Sequence, residues 1–230
     1  MEIQFLGHSA FLIKGSKTVL IDPFLTGNPM AAVKRDDVEP DYILVTHGHG
    51  DHLGDAVPIA HRTGAPVIAP NELALYCSEH MHVKAHAMHI GGGHHFDGLY
   101  VKLTAAIHGS AIIERGISDY LGLACGFIIK MDGKTIYHAG DTALFYDMKM
   151  VVGDLNDIDV AMLPIGDNYT MGPEDAAIAA GWLGAKTVIP MHYNTFPVIR
   201  QDPLVFKEKA EMANTGIQVE VLSPGGMIKL

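Results

Sequence analysis

The stretch Asp41–His52 reads DYILVTHGHGDH, and its interpretation decides that of the whole chain. The first half is a nearly continuous apolar run, the pattern of a strand buried on both faces. The second half places His47, His49, Asp51 and His52 within six residues, separated by Gly48 and Gly50. A solvated polar loop that only starts the next helix, with Asp51 as its N-cap, is the bland alternative. Three histidines in six residues outrun chance even in a chain that has 14 of them. The glycines are expected to turn the backbone tightly, so that the side chains converge instead of alternating. His47 and His49 can then reach one cation. Asp51 and His52 can face a second one about 3.5–4 Å away, the separation usual in two-metal hydrolases.

Two cations need about six ligands, and the loop supplies four. The others should come from the ends of later strands. His108 follows the predicted strand Leu99–Ile107, and His192 follows Thr187–Met191. Asp141 stands just past a hairpin strand, in His138-Ala139-Gly140-Asp141-Thr142. Each is of a type that binds zinc.

The remaining elements read outward from these. Glu2–Leu6, Ala10–Lys14 and Thr18–Ile21 are strand-like, as are Pro66–Ala69 and Asp159–Leu163. Asp132-Gly133 between Cys125–Met131 and Thr135–His138 signals a hairpin. Helices are expected over Leu53–Arg62, Asn71–His80 (with Asn71 as cap), Pro173–Leu183 and Leu204–Asn214. A last hairpin is expected across Pro224-Gly225-Gly226. Two mixed sheets with helices on their outer faces accommodate this succession.

The order His-x-His-x-Asp-His, then His, then Asp, then His resembles the metallo-β-lactamase superfamily over most of the chain, from Asp22 to about Asn194. The resemblance implies an α+β fold, a four-layer αββα sandwich with two divalent metal ions at one edge. It assigns His47, His49 and His108 to one ion, Asp51, His52 and His192 to the other, and Asp141 to both. Gly7-His8-Ser9, Ile21-Asp22-Pro23 and Pro164-Ile165-Gly166-Asp167-Asn168 resemble the branch that includes ascorbate-6-phosphate lactonase, without conveying its substrate. The implied activity is hydrolysis of a small ester, lactone or related acyl compound by a hydroxide held between two ions. Zinc is the first candidate, with manganese, iron or nickel also accommodated. His49 stands where the superfamily's iron–oxygen reductases prefer Glu, which argues against redox chemistry.

Asp22 is expected to accept from a ligand histidine and fix its tautomer. His8 is a candidate substrate contact or proton donor, Asn194 and Tyr169 are candidate oxyanion donors, and Asp167 and Asn168 lie on the expected edge. With Asp51 and Asp141, His8 and Asn194 complete the expected catalytic set. His61 reads as a surface residue and His138 as structural. His80, His82, His86, His89, His94 and His95 crowd one stretch, read as a solvated loop or sheet edge before a third metal site.

Composition bounds the rest. The 230 residues, 48% hydrophobic and 18% charged, suit one globular domain spanning 1–230. Nothing at the N-terminus resembles a signal peptide, and no apolar run reaches the ~20 residues of a membrane helix. A cytoplasmic location is therefore expected, with Cys77 and Cys125 as buried thiols. A net charge of −10, from 16 Lys+Arg against 26 Asp+Glu, argues against nucleic acid as partner. A small-molecule substrate is expected instead, and a homo-oligomer is left open. The rival readings are a phosphodiesterase or nuclease of the same fold, and a metal-binding protein without turnover.

Overall fold

The computed structural model of the chain describes residues 1–114 and 117–230. The first sheet starts as an antiparallel meander of β1 (Glu2–Gly7), β2 (Ala10–Lys14) and β3 (Thr18–Ile21). It continues in parallel through β4 (Tyr42–Leu44), β5 (Val67–Pro70) and β6 (Ala85–Met88). The chain then enters a second sheet through β7 (Gly93–Phe96) and β8 (Leu99–Ala105). A separate two-stranded hairpin, β9 (Ala111–Glu114) and β10 (Ile117–Tyr120), follows. The second sheet resumes with β11 (Cys125–Met131), β12 (Lys134–His138), β13 (Val160–Pro164), β14 (Thr187–Met191) and β15 (Gln218–Val219). The last strand, β16 (Met227–Lys229), returns to the first sheet beside β1.

Period-two alternation sorts the strand residues into layers. Ile3, Phe5, Phe11, Ile13, Val19 and Ile21 face the second sheet, where they meet Phe127, Ile129, Val160, Met162, Ile189 and Met191. Between them, Leu6, Leu12 and Leu20 point outward against α2 (Ala56–Thr63) and α3 (Asn71–Leu75). On the far side, Ile128, Ala161, Leu163 and Val188 pack under α4 (Pro173–Leu183) and α5 (Pro203–Ala213). The result is helices, sheet, sheet, helices: the αββα sandwich that the sequence led us to expect.

Several local expectations need correction. The helix expected from Leu53 is two, α1 (Gly50–Leu53) and α2, because Gly54 adopts φ +42° and a Cβ there would strike Phe24. The N-cap of α1 is His49, not Asp51, which sits in the first turn and suits the helix dipole. Asn71 is the first residue of α3 and provides no side-chain cap; the helix then widens, with Met81 N donating to Tyr76 O five residues back. Strand β8 ends at Ala105, since the Ile107 N–H leaves the ladder for Thr142 Oγ1. The final hairpin does not form: β15 pairs with β14 in one sheet and β16 with β1 in the other. The Gly225-Gly226 turn itself bonds Phe5, so it delivers the chain across the sandwich. Cys77 and Cys125 are unlinked and buried, and burial pushes the Cys77 thiol up to about 11. Among the described residues, no helix is long and apolar enough to cross a membrane.

Phe127 is fully buried between the sheets. Phe127→Ala is expected to lower stability by about 3–5 kcal/mol, read by urea denaturation. A loss under about 1 kcal/mol would show that the inter-sheet layer is not what holds the fold.

Candidate metal centre

Strand direction alone brings distant residues together. β1 and β3 both run antiparallel to β2 and therefore parallel to each other, and β4 runs parallel to β3. β8 and β12 both run antiparallel to β11, and β13 and β14 run parallel to β12. The carboxyl ends of these strands therefore share one edge in each sheet. From them emerge His8, Asp22, the His47–His52 loop, His108, Asp141 and His192. His192 N donates to His8 O at 2.8 Å, tying the two sheet edges at this point.

The backbone along this edge is strained. His8, Asp22 and His192 have φ of +59°, +43° and +56°, at a cost of about 1 kcal/mol or more each. Gly140, at φ +64°, precedes Asp141, and a Cβ there would lie 2.5 Å from Cys125 O. Gly48 and Gly50 are not left-handed, contrary to the expected tight turn. Gly48 serves close packing instead: its N–H donates to Ser110 Oγ, and Leu121 and Ala111 leave little room for a side chain.

Three sets of ligating atoms each lie within 4.8 Å of one another: His47, His49 and His108; His8, Asp51, His52 and His192; and His47, His52 and Asp141. In the first set, His47 Nε2 and His49 Nδ1 are 3.0 Å apart. Asp141 reaches both groups, with Oδ2 at 2.9 Å from His192 Nε2 and 3.6 Å from His108 Nε2, and Oδ1 at 3.3 Å from His52 Nε2. The seven expected ligands thus converge, with Asp141 placed between the two groups.

A hydrogen-bonded layer behind the ligands fixes their orientation. Asp22, fully buried, accepts from Thr46 N at 2.8 Å, Thr46 Oγ1 at 2.7 Å and His52 Nδ1 at 2.8 Å. Thr46 Oγ1 in turn lies 2.9 Å from His47 Nδ1. With the Thr46 proton committed to Asp22, His47 donates from Nδ1 and turns its Nε2 lone pair toward His49 Nδ1 and the site. One carboxylate therefore sets two imidazole tautomers. His138 has no part in this: it donates from Nε2 to Ser9 O and accepts from Gly140 N, a structural residue as expected.

Charge follows the geometry. Burial works to raise the Asp51 and Asp141 carboxyls. His52 and His8 overcome it at Asp51, and His192 and His52 at Asp141, so both stay below the usual range. Burial works to lower His52, but Asp141 and Asp22 outweigh it and hold its imidazole well above the ordinary value. Burial pushes down His47, His49 and His108. These residues fit a divalent cation on a second ground as well. His52 Nε2 and Asp141 Oδ1 are buried, face each other, and make no hydrogen bond. Leaving such atoms unsatisfied is costly, and a cation between them removes the cost.

Other candidates fall elsewhere. His8 does not reach the open site. Its ring is fully buried, its Nε2 donates to Asp51 at 3.2 Å, its Nδ1 lies 2.9 Å from Thr195 Oγ1, and burial brings its pKa to about 4. It holds Asp51. Asn194 is exposed, and its Oδ1 accepts from Gln201 N, which takes this expected oxyanion donor off the cavity. Asp167 and Asn168 are exposed in a turn, whereas Tyr169 lines the cavity beside the ligands. His61 is at the surface, bonded to Met81 O. Of the crowded histidines, His86 lies in β6 and His94 and His95 in β7, edge strands of opposite sheets, with His86 and His94 in ring contact at 4.4 Å. Among the described residues it supplies no group of three ligating side chains. A depression of about 640 Å³ beside His95, Lys130 and Asp132 lies at the opposite end of β12 from Asp141, away from this chemistry. The signal that sequence reading missed is the left-handed backbone at His8 and His192, which no residue type announces.

The family model of the beta-lactamase superfamily domain matches residues 17–193. The chain belongs to the metallo-β-lactamase superfamily. Within it, the chain is 56% identical to the UPF0173 metal-dependent hydrolase of Pelotomaculum thermopropionicum and 54% to that of Bacillus cereus, each over the full length of both chains. It thus falls in this superfamily's group of metal-dependent hydrolases. Among solved structures, Igni18, a metallo hydrolase of Ignicoccus hospitalis, is 38% identical with a TM-score of 0.89, covering 99% of this chain and 97% of its own.

Asp22→Asn keeps the shape but removes one acceptor shared by Thr46 and His52. It is expected to weaken metal binding about 10–100-fold, measured by chelator competition, with the circular dichroism spectrum unchanged. Metal uptake by the metal-free protein at pH 7 is expected to expel the proton held on His52. Calorimetry in two buffers of different ionisation enthalpy should show about one proton released per chain. Uptake without proton release contradicts the raised His52 imidazole.

Proposed function

We propose that the chain hydrolyses a small ester, lactone or related acyl compound with a pair of divalent ions, zinc first among the candidates. His47, His49 and His108 would hold one ion and Asp51, His52 and His192 the other, with Asp141 shared. The observation that carries this reading is the convergence of ligating atoms around the buried His52 Nε2 and Asp141 Oδ1, which face each other at 3.3 Å without a hydrogen bond. Bound there, the ions supply a hydroxide at neutral pH, by lowering the pKa of water from 15.7 to about 7, and Lewis acidity for the developing oxyanion.

The chain's own residues prepare the site for this. Asp22, directly at His52 and through Thr46 at His47, keeps the Nε2 atom of both imidazoles aimed inward. His8 locks Asp51 from behind and, as a buried neutral imidazole, leaves the carboxylate its charge. A metal site built only for structure or storage closes around its ion, whereas a catalytic one keeps an open side. Here His49, Asp51, His108, Asp141 and His192 all border a cavity of about 490 Å³, which favours turnover over storage. Tyr169, on the cavity wall, brings the hydroxyl nearest in kind to the expected oxyanion donor.

Reconstituted protein is expected to contain about two metal ions per chain by elemental analysis and to hydrolyse a lactone or p-nitrophenyl ester probe faster than a phosphodiester. His49→Ala should lose at least about 100-fold in kcat/KM along with its metal. Full activity in that variant, or no metal uptake by the unaltered chain, would defeat the proposal.

A further inference from the structure

Beyond the ligands, the cavity is walled by Ala111, Ile113, Tyr169, Phe196 and Val198. These come from three separate stretches: the β9 strand, the loop after β13, and the loop after β14. Ile113, Tyr169 and Val198 are 65%, 57% and 51% exposed. Single exposed apolar side chains are ordinary, but a ring of them gathered from distant segments around a polar centre marks a binding surface. Phe196 is held in place from behind, its ring 5.6 Å from that of His8 and 6.3 Å from that of Phe24. The wall is thus partly preorganised.

The polar content of this wall is equally informative. Among the described residues bordering the cavity, the only side-chain polar group besides the ligand histidines and aspartates is the Tyr169 hydroxyl, and none is Lys or Arg. An anionic group lying away from the metal ions would lose its hydration there and gain no charge-assisted partner among the described residues. A net charge of −10 adds no attraction for it. An alkyl or aryl group in the same place gains the burial of its own surface and of the exposed wall.

We infer that the substrate carries an uncharged apolar tail on its hydrolysable acyl group, and that Ile113, Phe196 and Val198 receive this tail. The inference rests on the acyl reading above and narrows it. Phosphorylated lactones and nucleotide phosphodiesters fall outside the class, because their distal charges would meet the apolar wall.

Binding to zinc-reconstituted protein separates tail recognition from turnover. Octanoate and suberate have the same eight carbons and the same carboxylate for the metal end, and differ only in a second carboxylate at the far end. Calorimetry is expected to show octanoate bound at least about tenfold more tightly than suberate, with butanoate weaker by about threefold to fourfold for each methylene the wall covers. Val198→Lys, at a half-exposed position, should leave metal content unchanged and shift the preference toward suberate by about tenfold or more. Equal affinity for octanoate and suberate, or an unchanged preference in Val198→Lys, overturns the inference. Hydrolysis of p-nitrophenyl butanoate and octanoate is read in parallel. Octanoate selectivity without hydrolysis of any ester, lactone or thioester defeats the acyl reading and leaves tail recognition standing. Ester hydrolysis with no selectivity for tail length or charge defeats the tail inference alone.

Discussion

The Asp22 carboxylate is buried at the end of β3 and accepts three hydrogen bonds, two from Thr46 and one from His52. An ionised carboxylate cannot remain away from water without such partners. Its partners in turn have few alternatives: Thr46 ends the apolar run of the fourth strand, and His52 lies in the short helix that follows. The bond network fixes where the histidine loop begins, how it turns and which nitrogen each imidazole offers. His47, His49, Asp51 and His52, the four candidate ligands on this loop, depend on it.

The other ligands are secured by strand direction. Strands that run in a common direction within each sheet send His8, His108, Asp141 and His192 to one edge, where the loops are free to take conformations that the sheet interior forbids. The left-handed backbone at His8 and His192 is part of this. A histidine in that region is unfavourable on its own, and the bond from His192 N to His8 O, together with fully buried strands on either side, maintains it. Local strain at the rim is supported by an apolar layer such as Phe5, Phe127 and Ile189 deeper in the sandwich.

Much of this was legible in the sequence, for identifiable reasons. Strands buried on both faces leave uninterrupted apolar runs, as in residues 43–45 and 188–191, and candidate ligands stand at the end of both, at His47 and His192. What stayed hidden was non-local. No residue near 218 shows that it pairs with the fourteenth strand while residue 228 pairs with the first. The direction of His8 is set by Thr195 and Asp51, far away in sequence, and no neighbouring residue shows it. Asn194 was misplaced because its amide closes a turn onto Gln201, a competition that composition does not reveal. The roles of Gly48 and Gly50 were misjudged for a related reason: glycine serves close approach as readily as it serves left-handed turns.

The return of the sixteenth strand to the first carries a consequence for the order of folding. Glu2, Ile3 and Gln4 pair with Lys229, Ile228 and Met227, far away in sequence. Closing so long a loop costs more entropy than pairing neighbours, so this contact forms after the nearer ones. Until it does, the first strand keeps one unpaired edge, a template for adhesion to other chains. The histidine loop, held by Asp22 nearby in sequence, can take its form before that edge is sealed.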